Sequence, residues 1–202
     1  MPGDKVQHTK ESLIAFEERV KQAFLDKRIL APVHLSGNNE EQLIEIFKDV
    51  RPQDWVFSTW RSHYHALLKG IPEDELFQMI LEGRSMYLNS RKHKFVCSSI
   101  VGGILPIACG VALANKRLNL DERVFVFIGD MTARTGIFDE FSQYAVGHDL
   151  DVKVIIENNG LSTNTPTENV WGRKENIRLW PETYSYTRDF PHVGVGQYVA
   201  FG

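Results

Sequence analysis

The sequence predicts an α/β fold: a parallel sheet with helices on both faces. Three observations carry this. Residues 124–128, Val-Phe-Val-Phe-Ile, form an unbroken apolar run closed by Gly129-Asp130, and residues 152–156, Val-Lys-Val-Ile-Ile, form a second run, apolar except at Lys153 and closed by Glu157-Asn158-Asn159. Between them Ile137, Phe138, Phe141 and Tyr144 recur at helical spacing, and Gly147-His148-Asp149 ends the pattern. Short continuous runs rich in β-branched residues suit strands buried on both faces, and a strand–helix–strand order makes the two strands parallel.

At 202 residues, with 43% hydrophobic and 24% charged residues, the chain is long enough for one domain with a substantial core. The formal net charge of −3, with Lys and Arg spread along the chain, gives no electrostatic case for nucleic acid. Cys97 and Cys109 do not make a disulfide framework, so reduced thiols in a cytoplasmic-type compartment are expected, or in an organelle matrix for a eukaryotic source. Met-Pro-Gly-Asp-Lys carries no signal-peptide core, and no segment approaches a membrane span.

Residues 1–32 read as an N-terminal helical extension. Leu13, Phe16, Val20, Phe24 and Leu25 form a stripe that packs on the body or on a partner subunit. A loop with Pro32 and Gly37 follows, then a helix over 40–50 with Leu43, Ile44 and Phe47 inward. The Pro52-Gln53-Asp54 turn precedes a short apolar run at 55–57. Pro72, the acids Glu73, Asp74 and Glu75, and Gly83 delimit a capped helix over 72–83. Residues 84–99, with Arg91-Lys92-His93-Lys94, read as an exposed loop. Residues 100–115 are apolar nearly all round, with Gly102, Gly103, Ala108, Gly110, Ala112 and Ala114. They read as a buried helix whose small side chains permit close helix or subunit approach.

In a strand–helix–strand unit both strand ends fall on one edge of the sheet, where open α/β sheets bind ligands. Asp130 and Asn159 each follow a strand, which brings a carboxylate and an amide oxygen together. Magnesium takes few protein oxygens and fills its octahedron with phosphate oxygens and water. Asp130 and Asn-Asn-Gly are equally ordinary turn chemistry, so spacing leaves both readings open. Arg61 offers a fork for phosphate and His63 an acid–base group near neutral pH; the alternatives are a surface ion pair and a helix cap.

Gly129-Asp130 followed by Asn158-Asn159 resembles the thiamine-diphosphate fingerprint, Gly-Asp-Gly, a spacer, then Asn-Asn. More closely, the chain resembles the alpha subunit of the thiamine-dependent first component of 2-oxo acid dehydrogenase complexes, whose members act on pyruvate, branched-chain 2-oxo acids or acetoin. Val33-His34-Leu35-Ser36-Gly37 is similar to that family's early His-Leu segment. Arg51 to His63 is similar to its segment ending in Tyr-Arg-x-His, and residues 100–106 to its Ile-Val-Gly segment. Four segments in order cover roughly residues 33–165.

The resemblance implies a diphosphate-domain fold over 33–165, followed by a tail, 166–202, packing on the domain or a partner. The tail holds Trp171, Trp180, Tyr184, Tyr186, Phe190 and Tyr198. It further implies that Arg61 binds diphosphate, that the aromatic Trp60 and the turn Gly129, Asp130, Met131 contact the cofactor, and that His63 lies in the active site. Backbone groups at Ser99 and Val101 would hold the aminopyrimidine ring. Asp130, Asn159 and the Leu161 carbonyl would ligate Mg2+. The loop 162–167 would order over the cofactor. Trp60 stands where most members have Tyr, Met131 where the fingerprint has Gly, and residues 132–136 lack the Asn-Gln usual before the final Gly.

The implied chemistry is decarboxylation of a 2-oxo acid with transfer of the acyl or aldehyde fragment. A beta-type subunit would supply the pyrimidine-binding domain and catalytic glutamate in an alpha2-beta2 assembly, with a lipoyl-bearing acyltransferase as acceptor. Two other readings stay open: a split transketolase-like or decarboxylase subunit, and a non-catalytic homologue with an assembly or regulatory role.

Overall fold

The computed structural model describes residues 8–172 and 184–201; Trp180 and the extreme N-terminal residues read above for a targeting segment lie outside them. Helix α1 (Lys10–Leu25) opens with Thr9, whose hydroxyl accepts from the Ser12 amide at 3.2 Å. Then come α2 (Glu40–Phe47), β1 (Trp55–Ser58), α3 (His63–Leu68) and α4 (Glu73–Leu81). After a 3₁₀ turn at Ser85–Tyr87 follow β2 (Asn89–Ser90), β3 (Phe95–Cys97), α5 (Ile104–Arg117) and β4 (Val124–Gly129). The chain continues with α6 (Gly136–Gly147), β5 (Val152–Asn158), the hairpin β6 (Leu161–Ser162) and β7 (Thr165–Pro166), α7 (Thr167–Trp171) and β8 (Tyr184–Ser185).

The sheet order is β2-β3-β1-β4-β5-β8, parallel throughout except for the β2–β3 pair. The predicted unit is present: β4 and β5 pair in parallel from Val124↔Val152 to Gly129↔Glu157, with α6 between them in the chain. Alternation between two cores explains its apolar runs. Phe125, Phe127 and Ile155 face one core with α1–α4, while Val124, Val126, Ile128, Val154 and Ile156 face a second with α5 and α6. Each fully buried side chain of this size contributes about 1.5–3 kcal/mol, so a polar residue is excluded from either face.

Leu13, Phe16, Val20 and Phe24 of α1 belong to the same core as Phe125 and Phe127, so α1 packs on the body rather than standing apart from it. The far C-terminal segment returns to that core through Val195, with Tyr184, Phe190 and Val199 packed against it. Helix α4 ends as predicted, with Gly83 at φ +80° after its last turn.

Two expectations are corrected. Residues 84–99 are not an exposed loop throughout: Phe95–Cys97 is an interior strand between β2 and β1, and Phe95 and Cys97 are buried. Only Arg91 and Lys92 of the basic run are fully solvated. A three-residue strand carries too little pattern to be seen. Helix α5 starts at Ile104, not at residue 100, and is not buried all round. Ile104, Leu105, Ala108 and Ala112 face inward, whereas Ile107, at 50%, and the preceding Ile100 and Val101 are exposed. No helix among the described residues is long and apolar enough to cross a membrane.

Candidate functional site

The C-terminal ends of β1, β4 and β5 open on one cleft. Its walls include Thr59, Trp60 and Arg61 after β1, Gly129, Met131 and Thr132 after β4, and Glu157, Asn159, Leu161, Ser162 and Thr163 at and beyond the end of β5. Val101 borders it from the turn before α5, and Tyr186, Arg188 and His192 close it from the C-terminal segment. Of the residues singled out in the sequence, Trp60, Arg61, Val101, Gly129, Met131, Asn159 and Leu161 meet here.

Arg61 is 8% exposed. Its guanidinium donates to the Leu35 carbonyl and, at 3.2 Å, to the His192 carbonyl; among the described residues no carboxylate lies within ion-pair distance of it. Burial, reinforced by Arg188, holds its pKa below the usual arginine value. A buried cation satisfied only by carbonyls is an unbalanced charge that favours an anion. Burial, with Arg61 and His192 beside it, pushes His34 down to about 3, and burial lowers His192 as well.

Asp130 follows β4 directly and is 2% exposed. Oδ2 accepts from the Thr167 hydroxyl at 2.6 Å, while Oδ1 is buried with no hydrogen-bond partner. Burial raises its pKa; Thr167 and nearby backbone N–H groups oppose the rise. A desolvated carboxylate with one idle oxygen fits a cation. Asn159 Oδ1 accepts from the Leu161 amide at 3.0 Å and Nδ2 donates to the Tyr186 hydroxyl at 3.3 Å, so the amide is held in the wall of the cleft. Among the described residues no cluster of three or more His, Cys, Asp or Glu could hold a metal. A cation at Asp130 must therefore draw on amide, carbonyl and ligand oxygens, as magnesium does. Oxygen donors beside an uncompensated guanidinium fit a magnesium-bound diphosphate.

Met131 stands where the fingerprint has glycine, yet its backbone is ordinary right-handed helix at φ −67°, ψ −41°, so no glycine is required. Its sulfur receives the Trp171 indole N–H at 2.8 Å, and the side chain lines the cleft.

Three predicted residues are not in the lining of the cleft; Asp130 is one, buried between the lining residues Gly129 and Met131. Ser99 is exposed and stands off the cleft. His63, predicted as catalytic, is fully buried outside it. Its Nδ1 lies 3.2 Å from Glu17 Oε1 and its Nε2 2.8 Å from Ser85 Oγ; with Nδ1–H donating to Glu17, Nε2 accepts from Ser85. As the first residue of α3, His63 is turned into the core, where it ties α3 to α1 and to the 3₁₀ turn.

Sequence reasoning missed Glu157, whose buried carboxylate accepts from the Tyr184 hydroxyl at 2.6 Å. The fully buried His65 lies 3.3 Å from the same oxygen without the alignment of a hydrogen bond. Tyr186, Arg188 and His192 were missed too. No local pattern marks them: only Tyr184 and Ser185 pair with β5, and the residues that follow reach the cleft as irregular chain.

Residues 9–175 match the family model described as dehydrogenase E1 component. An alpha subunit of acetoin:2,6-dichlorophenolindophenol oxidoreductase from Cupriavidus necator is 31% identical over 160 residues, covering 74% of this chain and 48% of that protein. Its Bacillus subtilis counterpart is 29% identical, covering 76% and 49%. The chloroplastic pyruvate dehydrogenase E1 component subunit alpha-3 of Arabidopsis thaliana is 29% identical, covering 72% and 38%. A solved structure of an enzyme from Mycobacterium smegmatis, held to be thiamin diphosphate-dependent, matches 67% of this chain and 23% of its own at 18% identity and a TM-score of 0.47. The chain thus spans half or less of the length of these curated relatives. With a family model matched over most of its residues, the chain belongs to the dehydrogenase E1 component family.

Proposed function

We propose that this chain is the diphosphate- and magnesium-binding subunit of a heteromeric thiamine-diphosphate-dependent enzyme that decarboxylates a 2-oxo acid and transfers the acyl or aldehyde fragment. One observation carries it: Arg61, buried with no carboxylate partner among the described residues, lines the cleft after β1, and Asp130, buried with an idle Oδ1, lies between the lining residues Gly129 and Met131 at the end of the neighbouring β4.

Arg61 binds the diphosphate, with Arg188 of the same wall adding positive charge. Asp130, the Asn159 amide and the Leu161 carbonyl hold Mg2+; Asn159 exchanges its bond to the Leu161 amide for the cation. Backbone groups near Ser99 and Val101 take the aminopyrimidine side, where Val101 borders the cleft. Trp60, tilted against His34 at 5.9 Å, is the aromatic wall. His63 positions the Trp60-Arg61 turn through Glu17 and Ser85 rather than exchanging protons with substrate. Thiamine diphosphate, when bound, supplies the carbanion chemistry, and protein supplies orientation and electrostatics.

The catalytic glutamate comes from a beta-type subunit in an alpha2-beta2 assembly. Support for a partner is the exposed apolar surface of Ile100, Val101 and Ile107 beside the cleft. A lipoyl-bearing acyltransferase accepts the product. The compartment is cytoplasmic or an organelle matrix, as relatives labelled chloroplastic and mitochondrial illustrate.

Titration of thiamine diphosphate with Mg2+, followed by tryptophan emission, tests the reading. Saturable quenching that vanishes in Asp130→Ala and without Mg2+ is expected. An Asp130→Ala chain that binds as wild type does would contradict it.

A further inference from the structure

Thr167 lies 37 positions from Asp130 in the chain and opens α7 after Pro166. It is 4% exposed. Two bonds fix it. Its amide donates to the Gly160 carbonyl at 2.9 Å, and its hydroxyl donates to Asp130 Oδ2 at 2.6 Å. A second contact docks the same helix on the same turn: the Trp171 indole N–H meets the Met131 sulfur at 2.8 Å. Oδ1 is left buried and unpartnered, so the two oxygens of one carboxylate have been given different tasks.

We propose that Thr167 is a positioning residue of the cation site: its hydroxyl occupies Oδ2 and so restricts Asp130 to one-oxygen ligation of the metal through Oδ1. The inference rests on the cation reading above. A carboxylate that offers one oxygen leaves the remaining octahedral positions to the amide, the carbonyl and phosphate oxygens. Partners that orient a ligand typically matter by ten- to a hundredfold in metal affinity. Helix α7 thereby becomes part of the site although it donates no ligand, and Trp171 reports its docking.

The test uses the full chain, Mn2+ as an oxygen-seeking substitute for Mg2+, and inorganic pyrophosphate. Bound Mn2+ is read from the loss of the free-ion paramagnetic resonance signal, a measurement independent of catalysis. Thr167→Val keeps shape and removes the hydroxyl; Thr167→Ser keeps the hydroxyl. The valine variant should bind Mn2+ about tenfold more weakly or worse, consistent with loss of a hydrogen bond to a charged group, and the serine variant should stay within about threefold of wild type. A structural role alone would shift Trp171 emission or melting while leaving Mn2+ affinity unmoved, and that overturns the inference. So does a serine variant as weak as the valine one. Wild-type protein that binds no Mn2+ sinks the cation reading itself, and Thr167's role with it.

Discussion

Asp54 joins the start of β1 to the start of β4, far from the cleft but beneath both strands that carry it. Its fully buried carboxylate accepts from Arg51 through the amide at 2.9 Å and the guanidinium at 2.8 Å. It also accepts from Arg123 through the amide at 3.0 Å and the guanidinium at 2.8 Å. Burial alone would raise its pKa, but the two arginines outweigh it and hold the group at about 2 against an ordinary 3.8. Asp54→Asn turns one accepting oxygen into a donor facing N–H groups and leaves two cations under-compensated. Breaking a buried pair of this kind costs about 3–5 kcal/mol. At about 2–4 °C per kcal/mol for a chain of this size, the melting temperature should fall by roughly 6–20 °C.

The pH dependence follows from the sign of the shift. A carboxyl depressed in the folded state stabilises above its unfolded value, and that stability fades as pH falls through the folded value. The gap between 3.8 and about 2 corresponds to about 2 kcal/mol. Urea unfolding followed by circular dichroism should therefore show the wild-type advantage shrinking by about 2 kcal/mol from pH 5 toward pH 2. A wild-type advantage below about 1 kcal/mol at pH 7, or one that does not change with pH, would refute this reasoning.

Arg61→Lys keeps the charge but loses the fork, so thiamine diphosphate with Mg2+ should bind roughly ten- to a hundredfold more weakly by calorimetry; unchanged affinity would remove Arg61 from the site. Gly102 has φ +74°, and an added Cβ would lie 2.6 Å from Ile137 Cγ2. Gly102→Ala should therefore cost about 2–4 kcal/mol in urea unfolding, and an Ile137→Ala background should return the steric part alone. Burial raises the Asp130 pKa, so its charged form opposes folding above the ordinary carboxylate range. Asp130→Asn should raise the melting temperature of the cofactor-free chain while abolishing the further rise on adding Mg2+ and thiamine diphosphate; a lower melting temperature without cofactor counts against that account.

The β4–α6–β5 unit was legible because double burial keeps β4 apolar from Val124 to Ile128 and β5 apolar from Val154 to Ile156, with Lys153 only at its less buried start, a pattern that suits a covered parallel sheet. Strand β3 was not, because Phe95–Cys97 is short and sits between a basic turn and Ser98-Ser99. Asp130 and Asn159 follow β4 and β5 directly, since topology alone decides which edge they share. His63 went astray because spacing cannot say toward which side the first turn of α3 faces; Glu17, in α1, draws it inward. The wall formed by Tyr186, Arg188 and His192 depends on a two-residue strand pairing across the end of β5, a long-range contact with almost no local signature. Met131 illustrates the converse: the residue departs from the fingerprint, but the dihedrals at that point never required glycine.

Native mass spectrometry of the protein purified gently from its own source, with Mg2+ and thiamine diphosphate present, decides whether this chain works with a partner on the cofactor. An assembly that contains a second chain and one thiamine diphosphate per pair of unlike chains is expected. A homo-oligomer that takes up no cofactor under those conditions would contradict the proposed function.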